Sequence, residues 1–102
     1  MELSEQAKKD LENELVECLC SEKEISKIVV FGSFITSANP HDMDVAVFQD
    51  STEGYLPLAL KYRKKTRSVA RKIPLDIFPL KAGGESGPFL AEISSGAIIY
   101  EK

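Results

Sequence analysis

Four short runs of β-branched and aromatic residues constrain this chain more than any other feature: KIVVF (27–31), DMDVAVF (42–48), PLDIFPL (74–80) and AIIY (97–100). Each is too short for a buried helix and is bounded by turn-forming residues, so each reads as a strand. The segments between them carry helical spacing. Ser4 is placed to cap a helix with Glu5 in its first turn, and Leu3, Ala7, Leu11, Leu15, Cys18 and Leu19 recur at its period, predicting a helix from Ser4 to Ser21. A short helical turn is expected from Ser33, directly after Gly32. Asn39-Pro40 and residues 50–54 read as loops. Tyr55 to Lys72 is predicted as one helix with Leu58, Tyr62, Thr66, Val69 and Ile73 inward; Pro57 fits only its first turn. Lys81 to Gly87 reads as a loop, and Pro88 to Ser94 as a short helix ended by Gly96. Pro79 suggests that the third strand ends there or lies at an edge. The alternation of helices and strands predicts an α/β or α+β fold, with a mixed sheet of about four strands flanked by helices.

The chain has 102 residues, enough for one domain with one core. With 43% apolar and 28% charged residues it has the composition of a globular protein. No apolar run approaches the roughly 18 residues that cross a bilayer, so no membrane partner is expected. The start, MELSEQAKKDLENE, is too polar for a signal peptide, which points to the cytoplasm. Cys18 and Cys20 lie two apart on a predicted helix and do not face each other, so they are expected as free thiols.

Three aspartates carry the chemistry. Alternation along a strand puts Asp42 and Asp44 on one face, with Met43, Val45 and Val47 on the other. Two such charges about 4 Å apart repel by roughly 4 kcal/mol at an effective dielectric near 20. A divalent cation between them reverses the sign, and oxygen ligands with open positions suit magnesium. Asp76 interrupts an apolar strand and needs either a partner or solvent access. The simpler alternative puts it on the solvent face of a half-covered sheet. Just upstream of the pair stands Phe31-Gly32-Ser33, where glycine admits close backbone approach and the following amides and the Ser33 hydroxyl offer a place for phosphate.

With these residues in place, VVFGSFITSANPHDMDVAVF resembles the signature of the DNA polymerase β-type nucleotidyltransferase superfamily, in particular its minimal, MNT antitoxin-like members. That signature has Gly-Ser after a strand, Asp-x-Asp in the next strand and a third Asp in a later one, here LDIFPL. The tail FLAEISSGAIIYEK is also similar to the closing helix, turn and strand of small members, so the likeness spans residues 27–101. The resemblance implies one nucleotidyltransferase domain over residues 1–102. It implies that Gly32 and Ser33 hold a nucleoside triphosphate such as ATP, that Asp42, Asp44 and Asp76 bind two magnesium ions, and that Asp76 faces the acceptor hydroxyl. The reaction would transfer a nucleoside monophosphate and release pyrophosphate. Two departures stand out. Many members have a second glycine where this chain has Ser37, and only eight residues separate Ser33 from Asp42.

At 102 residues no room is expected for a separate acceptor-binding domain. The chain must recruit a partner, form a homo-oligomer or act on a small or exposed target. The resemblance implies a helical partner of the HEPN type, as antitoxin to toxin; the alternative to an enzyme is a catalytically weak module that neutralises such a partner by contact. Charge is unevenly spread. Residues 1–26 hold eight acids and three lysines, while KYRKKTRSVARK (61–72) holds seven cations and no acid. That stretch either contacts phosphates, nucleic acid or an acidic protein, or is a solvated helix face. His41 adjoins Asp42 and reads as a turn residue or as a group steering the metal site.

Overall fold

The computed structural model describes residues 2–83 and 90–102. The elements run α1 (Glu5–Leu19), β1 (Ile25–Phe31), α2 (Ser33–Thr36), β2 (Met43–Gln49), α3 (Tyr55–Lys65), α4 (Arg67–Ala70), β3 (Leu75–Lys81), α5 (Leu90–Ser94) and β4 (Ala97–Glu101). Ser4 caps α1 as expected: its hydroxyl accepts from the Ala7 amide at 3.0 Å. The start of the expected 88–94 helix and most of the expected 81–87 loop fall outside the described residues.

The sheet is mixed, in the order β3-β2-β1-β4. β1 pairs antiparallel with β2 and with β4. β2 and β3 run parallel, which requires a crossover, and α3 and α4 supply it. β3 is an edge strand, so Pro79, which lacks an amide donor, breaks no central ladder.

The strands bury one face against α1, α3 and α4. Leu11, Leu15 and Leu19 from α1 meet Leu58, Tyr62, Val69 and Ile73 over Ile28, Val30, Met43, Val45, Val47 and Ile77. The other face carries a smaller cluster of Val29, Phe31 and Ala46, with Phe48, Phe78, Leu80 and Ile93 of α5 packed against it. Met43, Val45 and Val47 thus point away from Asp44, as the alternation of β2 requires.

One local expectation is corrected and another is given a different physical reason. The helix expected over 55–72 breaks at Thr66, whose backbone sits at φ −108°, ψ 19°. The Thr66 hydroxyl is buried and donates back to the Tyr62 carbonyl at 2.8 Å, a local bond that bends helices. The inward stripe survives the break because Leu58, Tyr62, Thr66, Val69 and Ile73 are all buried. Gly96 follows the end of α5 at Ser94, as expected, but not with positive φ: the positive-φ glycines among the described residues are Gly32 and Gly83. Gly96 is required by space instead: a Cβ there would lie 2.5 Å from the Val30 carbonyl oxygen and 2.9 Å from Val29 Cγ1.

Candidate active site

The register of the sheet assembles the three aspartates. Asp44 and Asp76 are direct partners across the parallel β2–β3 ladder, so their side chains share a face. Asp42 immediately precedes β2 and lies two residues from Asp44. One carboxylate oxygen from each residue lies within 4.8 Å of the others. Asp42 and Asp44 are half-buried and Asp76 is exposed. The solvent-face reading of Asp76 and the site reading therefore describe the same position: an exposed edge-strand carboxylate beside a less exposed pair.

This crowding is costly to the anionic form. Burial, and then the charges of Asp42 and Asp76, push the Asp44 carboxyl up to about 6. A donor set made only of carboxylate oxygens, with one member held against its own ionisation, fits a hard divalent cation whose charge would offset that cost.

Gly32 closes the arrangement from β1. Its neighbour Phe31 pairs with Asp44 across the antiparallel ladder. Gly32 adopts φ 77°, ψ −151°, a region essentially confined to glycine. A Cβ at this position would come 2.7 Å from Asp44 Oδ2. The backbone conformation and the proximity of the carboxylate both demand glycine here. Ser33 opens α2, and its hydroxyl donates to Asp42 Oδ1 over 3.4 Å, which sets it at the edge of the carboxylate cluster.

A Gly-Ser turn beside three convergent carboxylates on adjacent strands meets its counterpart in sequence comparison: a family model described as Polymerase beta, Nucleotidyltransferase matches residues 13–102. The chain belongs to this nucleotidyltransferase family. Among proteins of curated function, none matches the chain. Two solved structures share the nucleotidyltransferase fold. One is a tri-AMPylated Shewanella oneidensis HEPN toxin in complex with MNT antitoxin, matched at 19% identity over 93% of this chain and 73% of that one, with a TM-score of 0.65. The other is the toxin–antitoxin pair MntA–HepT, at 15% identity over 92% and 73%, with a TM-score of 0.58.

The loop that distinguishes this nucleotidyltransferase from many relatives is unstrained. Ser37 is extended at φ −120°, ψ 141°, a conformation any residue adopts, so the missing second glycine has no backbone consequence. The short connection is tied down from α1. Lys8 Nζ donates to the Ser37 carbonyl at 2.6 Å and lies 5.5 Å from the centroid of the Phe34 ring, and the Leu3 amide donates to the Ala38 carbonyl at 2.9 Å. Lys8 is 9% exposed. Sequence reasoning missed it, although a signal existed: Lys8 stands three residues before Leu11 and seven before Leu15, on the stripe that is buried. His41 is exposed.

The basic stretch divides. Lys61 pairs with Glu22, Glu24 and Glu53, Lys65 with Glu22, and Lys72 with Glu14, so the acidic first part of the chain neutralises three of the cations. Glu24 also accepts from the buried Tyr62 hydroxyl at 2.9 Å. Hydrogen bonding from Lys61, foremost, holds the Glu22 carboxyl below its ordinary value. No such pairing occurs for Arg63, Lys64 or Arg67 among the described residues. Cys18 and Cys20 are free thiols, and no helix among the described residues is long and apolar enough to cross a membrane.

Proposed function

We propose that this protein is a magnesium-dependent nucleotidyltransferase that transfers a nucleoside monophosphate from a nucleoside triphosphate, ATP in the first instance, to a hydroxyl on a partner protein. One observation carries this reading: three carboxylates converge within 4.8 Å on adjacent strands, directly beside a glycine whose missing side chain leaves room at Asp44. Asp42 and Asp44 would hold the metal at the triphosphate. Gly32 lets the phosphates approach the end of β1, and the Ser33 hydroxyl turns from Asp42 to a phosphate oxygen. What bound magnesium supplies is charge neutralisation at the attacking and leaving oxygens. Asp76, the exposed member, faces the incoming hydroxyl and takes its proton. The acceptor oxygen bonds to the α-phosphorus as the bond from that phosphorus to the β-bridging oxygen breaks, and pyrophosphate leaves with the electron pair.

The fold neighbours extend the proposal to the partner. Both are complexes of a toxin with its antitoxin, and one names a HEPN toxin that carries AMP groups. We carry over a HEPN-type protein as the acceptor, and with it a toxin–antitoxin role in the cytoplasm. The contact-only module drew its support from Ser37 and the short loop. Ser37 needs no glycine, and the loop is anchored by Lys8, so neither feature favours it.

The test is calorimetric titration with ATP, with and without magnesium, followed by mass analysis of a co-purified HEPN-type partner after incubation with both. Binding is expected only with the divalent ion, and the partner is expected to gain whole nucleoside monophosphate increments. Equal ATP binding in the absence of metal would overturn the assignment of the carboxylates.

A further inference from the structure

The outer face of α3 and α4 has a composition that neither the core nor the carboxylate site explains. Leu56 and Leu60, one helical turn apart, are 66% and 56% exposed, with Tyr55 exposed beside them. The same face continues C-terminally into Arg63, Lys64 and Arg67, three of the four cations of residues 61–72 that have no acidic partner among the described residues, Arg71 being the fourth. Leu60, Arg63, Lys64, Arg67, Leu75 and Asp76 are among the residues that line a groove of about 590 Å³. From Leu56 to Lys64 the stripe spans about 12 Å of α3 at 1.5 Å per residue, and Arg67 follows across the break at Thr66. A helix face that is aliphatic at one end, cationic at the other and open onto an active-site carboxylate has the dimensions of a docking surface for a short segment.

We propose that this face binds a protein segment, itself aliphatic and acidic, and thereby delivers the acceptor hydroxyl to Asp76. The inference rests on the transferase reading above and adds to it the surface that selects the acceptor. Charge complementarity argues for the acidic character: three unpaired cations are gathered on one face of a chain whose net charge is −3. Two exposed leucines argue for protein over nucleic acid, because a single exposed ring, Tyr55, makes no platform for successive bases, and the acidic remainder of the chain opposes a long polyanion. The groove reaches the edge strand β3 at Leu75 and Asp76, so a segment lying along α3 would end at the exposed member of the carboxylate cluster, and neither Gly32 nor Ser33 is among the residues that line it.

The probe is a fluorescein-labelled synthetic helical peptide with leucines at i and i+4, flanking glutamates, and one central serine and tyrosine. Two controls accompany it: the same peptide with lysines for glutamates, and an oligouridylate of similar length. Binding is read by fluorescence anisotropy at low and physiological salt, without nucleotide, so that failure of catalysis does not obscure it. The acidic peptide should bind in preference to both controls, weaken with salt, and lose roughly tenfold in affinity in the double variant Arg63→Glu, Arg67→Glu, as rim charges do. Leu60→Ser should weaken it separately. Both substitutions are at exposed positions, and unchanged melting and magnesium–ATP titration verify that fold and nucleotide site are intact. Equal affinity of the variants and wild type overturns the inference, and so does tighter binding of the oligouridylate or the basic peptide. Loss of ATP binding in the wild type would instead strike the transferase reading alone.

Discussion

Replacing Asp44 with Asn is expected to stabilise the metal-free fold at neutral pH while abolishing its response to magnesium. Asp44 pays an electrostatic penalty in the folded state, because burial and the adjacent Asp42 and Asp76 raise its pKa from 3.8 to about 6. A raised carboxyl pKa means that the folded state binds more protons than the unfolded one between those values, so stability rises as pH falls through 6 towards 3.8. At pH 7 the ionised group is therefore destabilising. Two pKa units correspond to about 3 kcal/mol, which solvent screening at this half-exposed site reduces to about 1–2 kcal/mol. The amide removes that penalty. In chelator, Asp44→Asn should then melt about 5–10 °C above wild type at pH 7, given the temperature shift typical of a domain of this size. The gain should shrink as pH is lowered through 6 and be mostly lost by pH 4, vanishing only below 3.8, where the wild-type carboxyl is protonated in both states. Excess magnesium should raise the wild-type melting temperature by preferential binding to the folded state and leave the variant unmoved. The assay is differential scanning fluorimetry from pH 4 to 8, with EDTA or magnesium. A variant that melts below wild type in EDTA at pH 7, or whose gain is the same at pH 4 and pH 8, refutes the claim that like-charge crowding at Asp44 is the strain a cation relieves.

Other substitutions separate the remaining roles. Asp76→Asn should bind magnesium–ATP nearly as wild type does and lose transfer, measured by titration and by labelled-nucleotide incorporation; transfer at the wild-type rate would reduce Asp76 to an ordinary surface acid. Gly32→Ala should cost about 2 kcal/mol in chemical denaturation from its disfavoured backbone alone, and should weaken ATP binding as well because the new methyl group displaces the Asp44 carboxylate. Lys8→Met keeps the aliphatic packing but loses the charged bond to the Ser37 carbonyl; about 1–2 kcal/mol of stability should go with it, together with part of the magnesium–ATP affinity, whereas unchanged affinity would confine Lys8 to stability. Gly96→Ala should destabilise by about 1–3 kcal/mol through overpacking against β1, readable in urea melts, with ATP affinity per folded molecule unaffected.

Much of this architecture was legible before any coordinates. Strand and helix identities follow from periodicities of two and 3.6, which are local properties, and all four strands and the capped first helix appear where those periods put them. The shared face of Asp42 and Asp44 is likewise local, since two residues along an extended chain return to one side. The place of Gly32 at the end of a strand just before the acidic pair was also legible, while its phosphate-binding role came only from the family resemblance, because a Gly-Ser by itself is a weak signal. Long-range register was not legible. The parallel alignment that sets Asp76 beside Asp44 depends on where a crossover of two helices returns the chain, and no period within LDIFPL encodes it. The same holds for charge. Only folding decides that Glu14, Glu22, Glu24 and Glu53 take Lys61, Lys65 and Lys72, leaving Arg63, Lys64 and Arg67 beside Asp76. Lys8 and Gly96 make the point at single residues. A lysine is buried because a carbonyl from 29 residues away meets its amine, and a glycine is needed because a strand far back in the chain leaves no room for a methyl group. Local propensity chooses the elements; the partners of each side chain are chosen by contacts between residues distant in sequence, which exist only once the chain has closed on itself.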